Sequence, residues 1–266
     1  MSLIDDHDGV LFDLDGVLYR GQGAVPRAPE AVEELRRRGL ACAYVTNNAS
    51  RSAESVAGHL RDLGIDAQSE EVFGSAPAGV RLMAEHVAPG SRVLVTGSAY
   101  LRELVTAAGF TTVDSAAETP DAVIQGFNPD LSWRDLAEAA FAINSGAAWF
   151  ATNLDLSIPQ AGGVAPGNGA LVEAVARATK KWPAAAGKPE PVMFTQAAHA
   201  LGLSRPLVVG DRLDTDILGG NRAEMTTALV LTGIDSRRTA VEAEVAQQPD
   251  WVLNTLDDLF SGQHSR

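Results

Sequence analysis

Only one cysteine, Cys42, occurs in the 266 residues. No intrachain disulfide, and no zinc site built on paired thiolates, can form from it. It sits in LACAYVT, an apolar strand-like run, so an inert core thiol is expected. Long hydrophobic runs are missing too: no stretch reaches the ~18 apolar residues needed to span a bilayer. The opening MSLIDDHDG carries acid where a secretory signal carries base. A soluble, cytoplasmic protein is the expectation. Positive charge is scarce, with 21 Lys and Arg against 34 Asp and Glu, a net charge of −13. Such a surface repels nucleic acid and anionic lipid, and no Lys/Arg-rich run offsets it. Neither is expected as a partner. An anionic substrate would need positive charge concentrated at one spot. Internal repeats and low-complexity tracts are absent as well.

What is present is a rhythm of short apolar runs and amphipathic stretches. VLFDLD and LACAYVTNN read as strands. PEAVEELRRRG reads as a helix with Ala31, Val32 and Leu35 facing inward and Gly39 ending it. PLVVGD and TTALVLTG are later strands, with helical stretches between. This alternation predicts an α/β fold, a parallel sheet with helices on both faces. A second block, about Ser91 to Lys181, has its own strand–helix rhythm. One sheet interrupted by an inserted α/β domain is expected, with residues 1–79 and 184–266 as the core and 80–183 as the insert.

Acids stand where the strands end. Asp13 and Asp15 close VLFDLDG, Thr46, Asn47 and Asn48 close the second strand, and Asp211 follows PLVVG with Asp214 and Asp216 behind. In an open parallel sheet, ligands bind outside the carboxyl ends of the strands. If these strands are neighbours, five acids and a threonine surround one point. Crowded carboxylates repel, and a hard divalent cation resolves the conflict; oxygen donors suit Mg²⁺. Gly16 allows a tight turn with amides free to meet an anion. A carboxylate so placed can attack a phosphoryl group and form an aspartyl phosphate. Asp15 then suits the general acid and base, with partial burial and neighbouring acids raising its pKa. A calcium loop does not fit: the fifth position from Asp13 is Val17 and the twelfth is Ala24.

DLDGVLY, VTNNAS, GKPEP and VGDRLDTDI, in this order, resemble the four motifs of the haloacid dehalogenase superfamily. The insertion containing FATNLD and PGNGALVEAV is similar to the C2-type cap of subfamily IIA, the 4-nitrophenylphosphatase-like and phosphoglycolate phosphatase-like enzymes. The resemblance covers almost the whole chain. It implies a Rossmann-like three-layer α/β/α core, an α/β cap and a Mg²⁺-dependent phosphatase of small phosphorylated metabolites. It makes Asp13 the nucleophile and Asp15 the acid/base. Thr46 and Asn47 would bind the phosphoryl group, and Lys188 the phosphate and the Asp13 carboxylate. The metal would take the Asp13 and Asp211 side chains and the Asp15 carbonyl. Asp216 would stand behind them, orienting Lys188 or metal-bound water.

Other residues carry weaker signals. Asn153 and Asp155 precede SIPQAGGVAPGNG, a glycine- and proline-rich stretch read as a loop, and are candidates for substrate contact. Asn168 is a candidate helix N-cap, as is Asp214. The cluster Asp5, Asp6, His7, Asp8 reads as solvated surface. His59, His86 and His199 fall on helices without ligand spacing, His264 falls in the tail, and Trp182 is expected to pack near the insert boundary. The expected function is hydrolysis of a phosphomonoester through phospho-Asp13. The alternatives are a phosphomutase, or a non-catalytic phosphometabolite-binding protein on the same scaffold. Self-association as a homodimer through the cap is an expectation by analogy only.

Overall fold

The computed structural model of the protein describes residues 2–160 and 162–261; His264 lies outside them. The chain forms two compact units. The first holds residues 1–46, 53–73 and 188–266, and the second 47–52 and 74–187. The division falls at 73/74 and 187/188, where the sequence pattern suggested 79/80 and 183/184. The reason is the helix Ser75–Ala84. It buries Ala76, Val80 and Met83 in the second unit's core, so the whole helix goes with that unit.

Among the described residues, the first unit carries a six-stranded sheet. Its order is Trp251–Leu253, Thr226–Val230, Pro206–Gly210, Gly9–Phe12, Ala41–Thr46, Val72–Gly74. Pairing is parallel from the first of these to the fifth. Gly9–Phe12 and Pro206–Gly210 are buried at every position. That explains why they read as unbroken apolar runs, as strands covered on both faces do. The helix Ala28–Arg37 buries Ala28, Ala31, Val32 and Leu35, and Gly39 beyond it has φ +76°. Each fully buried Leu or Phe in this core contributes about 1.5–3 kcal/mol. Cys42 is fully buried there, and burial pushes its thiol up to about 12.

The second unit is built on a five-stranded sheet, all parallel, in the order Ala184–Ala185, Ala148–Ala151, Ala122–Gln125, Arg92–Thr96, Thr111–Val113. Leu94, Val123 and Trp149 pack with the helices Trp133–Asn144 and Asn168–Thr179. Val93, Ala122, Ile124 and Phe150 pack with Ser75–Ala84 and Ala99–Ala107. Alternate strand residues thus serve opposite faces.

Four local expectations need correction. The glycine- and proline-rich stretch is not simply a loop: Ser157–Gln160 and Gly163–Pro166 form an antiparallel hairpin. Trp182 is 63% exposed instead of packed. Gly167 takes the N-cap position, and Asn168 is the first helical residue. Asp214 lies inside the turn Leu213–Ile217, where its carboxylate accepts from the Arg212 side chain at 2.8 and 3.0 Å.

Candidate active site

Three strands of the first unit end side by side. Phe12 is level with Val209 on one neighbour and Tyr44 on the other. Asp13, Asp211 and Thr46 therefore lie at the carboxyl ends of adjacent strands, where a parallel sheet presents its ligands. The Asp13 amide extends the ladder by donating to the Val209 carbonyl at 2.9 Å. After Asp15 the chain turns through Gly16, whose φ of +82° a side chain would strain. Asp15 itself is exposed, so the partial burial expected for it is not found. Thr46 is buried.

Lys188 organises the centre. It is 3% exposed, and the Lys188–Pro189 peptide is cis. Its Nζ donates to Asp13 Oδ1, to Asp216 Oδ1 at 2.7 Å and to the Val45 carbonyl at 3.2 Å. All three ammonium N–H groups thus have acceptors. Burial alone would pull the Lys188 pKa down, but the Asp13 and Asp216 charges outweigh it and the net shift is upward. The second oxygen of Asp216 accepts from the Arg212 amide at 3.1 Å. Room for this side chain depends on Gly210: a Cβ there would lie 2.1 Å from the Asp216 Cβ.

Asp211 is 2% exposed. Its Oδ2 accepts from the Ile234 amide at 2.8 Å. Burial, then the Asp216 charge, pushes its pKa up to about 7. Asp13 is also raised well above the carboxylate range, burial again outweighing Lys188. Two acids thus resist ionising side by side, as crowded carboxylates do without a counter-ion.

Asp13, Asp211 and Asp216 each offer a carboxylate oxygen within 4.8 Å of the others'. Three carboxylates beside one ammonium leave negative charge uncompensated. The donors are all hard oxygens, so the set fits Mg²⁺ and not a soft metal. Asp5, Asp6, His7 and Asp8 form no such group among the described residues. Asp5 accepts from the Ser2 amide and Asp8 from the amides of Ser204 and Arg205.

The second unit gathers three more of the expected residues. Asn47 Nδ2 donates to Asp155 Oδ1 at 2.9 Å, and Asn153 Nδ2 donates to the Asn47 carbonyl at 2.8 Å. The Asp155 amide closes a turn on Asn153 Oδ1 at 3.2 Å. Ser75 Oγ donates to the same Asn47 carbonyl at 2.7 Å, and Asn168 Nδ2 to the Asn153 carbonyl at 2.7 Å. Gly187, beside Lys188 in the chain, packs here too: a Cβ would fall 2.6 Å from the Asn153 Cβ. Ser75 and the turn after Thr226–Val230 escaped the sequence reading, and Asn168 was read only as a helix cap. A glycine directly after a strand, in LVLTGID, was the one available signal.

Residues 10–111 match the family described as haloacid dehalogenase-like hydrolase, and residues 185–259 match a second, HAD-hydrolase-like family. The D-glycerol 3-phosphate phosphatase of Mycobacterium tuberculosis is 43% identical over 97% of this chain and 72% of its own length. The acid sugar phosphatase of Staphylococcus saprophyticus is 34% identical over 96% of this chain and 97% of its own. The crystal structure of the M. tuberculosis glycerol phosphate phosphatase in complex with magnesium superposes with a TM-score of 0.93 at 42% identity, covering 97% of this chain and 78% of that one.

Proposed function

The chain belongs to the haloacid dehalogenase-like hydrolases, and from that premise we propose that it is a Mg²⁺-dependent phosphatase hydrolysing small-molecule phosphomonoesters through a phospho-Asp13 intermediate. One observation carries the reading: a buried Lys188 bonded at once to Asp13 and Asp216, beside Asp211. A surface lysine makes no such set, and a purely structural pair has no use for three crowded acids at strand ends.

Asp13 and Asp211, with the Asp15 carbonyl, would hold the cation. When bound, Mg²⁺ neutralises charge on the nucleophile and on the phosphoryl group together. Asp13 attacks phosphorus through a carboxylate oxygen, and the ester P–O bond breaks. Asp15, exposed and two residues on, gives its proton to the leaving oxygen. It then takes a proton from water, which attacks phosphorus, releases phosphate and restores the Asp13 carboxylate. Lys188 offsets part of the burial cost of an ionised Asp13 and steadies the phosphoryl charge, and Asp216 orients Lys188. Thr46 and Asn47 bind phosphoryl oxygens. Asn153 and Asp155 act by fixing Asn47, to which Asn153 Nδ2 and Asp155 Oδ1 are bonded. Polyol and sugar phosphates are the first substrates to screen, given the relatives.

The test is phosphate release from 4-nitrophenyl phosphate. Asp13→Asn is expected to lower turnover by at least ~10³-fold with an unchanged circular dichroism spectrum. EDTA is expected to silence the wild type and added Mg²⁺ to restore it. Near-full activity in either case ends the reading, and phosphate retained on a second substrate oxygen would point to a mutase.

A further inference from the structure

The turn Thr232–Asp235 meets the acid site from a strand that contributes no acid to it. Thr232 Oγ1 donates to the Gly16 carbonyl at 2.7 Å. The Ile234 amide donates to Asp211 Oδ2, and the Asp235 amide to the Asp211 carbonyl at 3.0 Å. The Asp235 carboxylate reaches back to accept from the Leu213 amide at 2.8 Å. Gly233 sits closest of all: a Cβ there would lie 1.8 Å from Asp211 Oδ2 and 2.2 Å from its Cβ. Gly16 presses from the other side, its own Cβ position 2.4 Å from the same oxygen. Asp211 is thus wedged between two glycines and tied at both its carboxylate and its carbonyl.

We propose that Thr232, Gly233 and Asp235 are positioning residues for Mg²⁺, holding Asp211 and the turn after Asp15 in one arrangement before the cation arrives. This rests on the Mg²⁺-dependent reading above. The physical reason is pre-organisation. A ligand carboxylate free to rotate must be ordered when it binds, and partners behind the ligands typically set affinity by 10–100-fold. Gly233 is required because any side chain would displace the Asp211 carboxylate. Thr232 is required because its hydroxyl holds the Gly16 carbonyl, one peptide beyond the Asp15 carbonyl.

The experiment titrates chelator-treated full-length protein with Mg²⁺ by calorimetry, and separately follows the Mg²⁺ dependence of turnover. Thr232→Val and Gly233→Ala are each expected to weaken Mg²⁺ binding by about 10-fold or more, with the circular dichroism spectrum retained. Thr232→Ser keeps the hydroxyl and is expected to bind as the wild type. Turnover by Thr232→Val should recover at saturating Mg²⁺, with KM for the phosphoester unmoved. Should Gly233→Ala fail to fold, the Thr232 pair decides alone. Wild-type affinity in Thr232→Val overturns the proposal and leaves the phosphatase reading standing. A wild type that binds no Mg²⁺ overturns both.

Discussion

Lys188 is bonded to Asp13, whose carboxyl burial has made reluctant to ionise, and to the buried Asp216. Its removal would leave Asp13 and Asp216 without a counter-charge in a site where Asp216 is 1% exposed. Breaking a buried pair from one side costs about 3–5 kcal/mol. Lys188→Ala is expected to lose that much stability at pH 7.5, read from urea denaturation in EDTA, along with its turnover. The pH dependence has a definite sign. The Asp13 carboxyl has a folded-state pKa above its unfolded one, so its penalty is absent below the ordinary carboxylate value of 3.8 and grows as pH rises toward the raised one. The deficit of Lys188→Ala should therefore shrink toward pH 5, whereas a constant deficit would mean that lost packing alone is responsible. Lys188 was legible because glycine and proline flank it in GKPEP, and Asp13, Asp211 and Asp216 because each stands near a strand end. Thr232 and Gly233 were not, because their work is done by one hydroxyl and by the lack of a Cβ, which no residue pattern announces.

Among the elements, the helix Asn168–Thr179 shows how placement follows from close approach. Its N-terminus lies against the Asn153–Asp155 turn. The Gly169 amide donates to the Asp155 carbonyl at 2.8 Å, and a Cβ on Gly169 would fall 2.1 Å from the Leu154 carbonyl oxygen. Two effects compete in Gly169→Ala. Helix propensity favours alanine by about 1 kcal/mol, but the neighbour is backbone and cannot swing aside, so overpacking of about 1–3 kcal/mol should win. The expected result is a lower urea midpoint. KM should rise too, because the shifted turn carries Asn153 and Asp155, two of the partners of Asn47. A higher midpoint would show that the turn gives way cheaply. The helices and buried strands were readable from apolar periodicity. The hairpin Ser157–Gln160 with Gly163–Pro166 was not: its glycine and proline content reads as loop, while its pairing rests on backbone hydrogen bonds.

For the molecule as a whole, the two units carry separate hydrophobic cores. One is built around Phe12, Leu35, Tyr44 and Val209, and the other is divided between the two faces of the second sheet. Asp13, Asp211 and Asp216 all belong to the first unit. A ligand that binds only the folded form stabilises what must unfold to release it, by about 2.7 kcal/mol at a hundred times its Kd. Opening free energies are local properties of cooperative segments, not of a chain as such. Mg²⁺ at that excess should therefore slow amide exchange by about 100-fold in the strands 9–12 and 206–210, where exchange requires global opening of the first unit. Exchange in 92–96, 122–125 and 148–151 should stay as it was. Hydrogen–deuterium exchange read by mass spectrometry separates these peptides directly. Equal slowing in both sheets would mean that the two cores open as one cooperative body, and no slowing in either would remove the cation from the first unit.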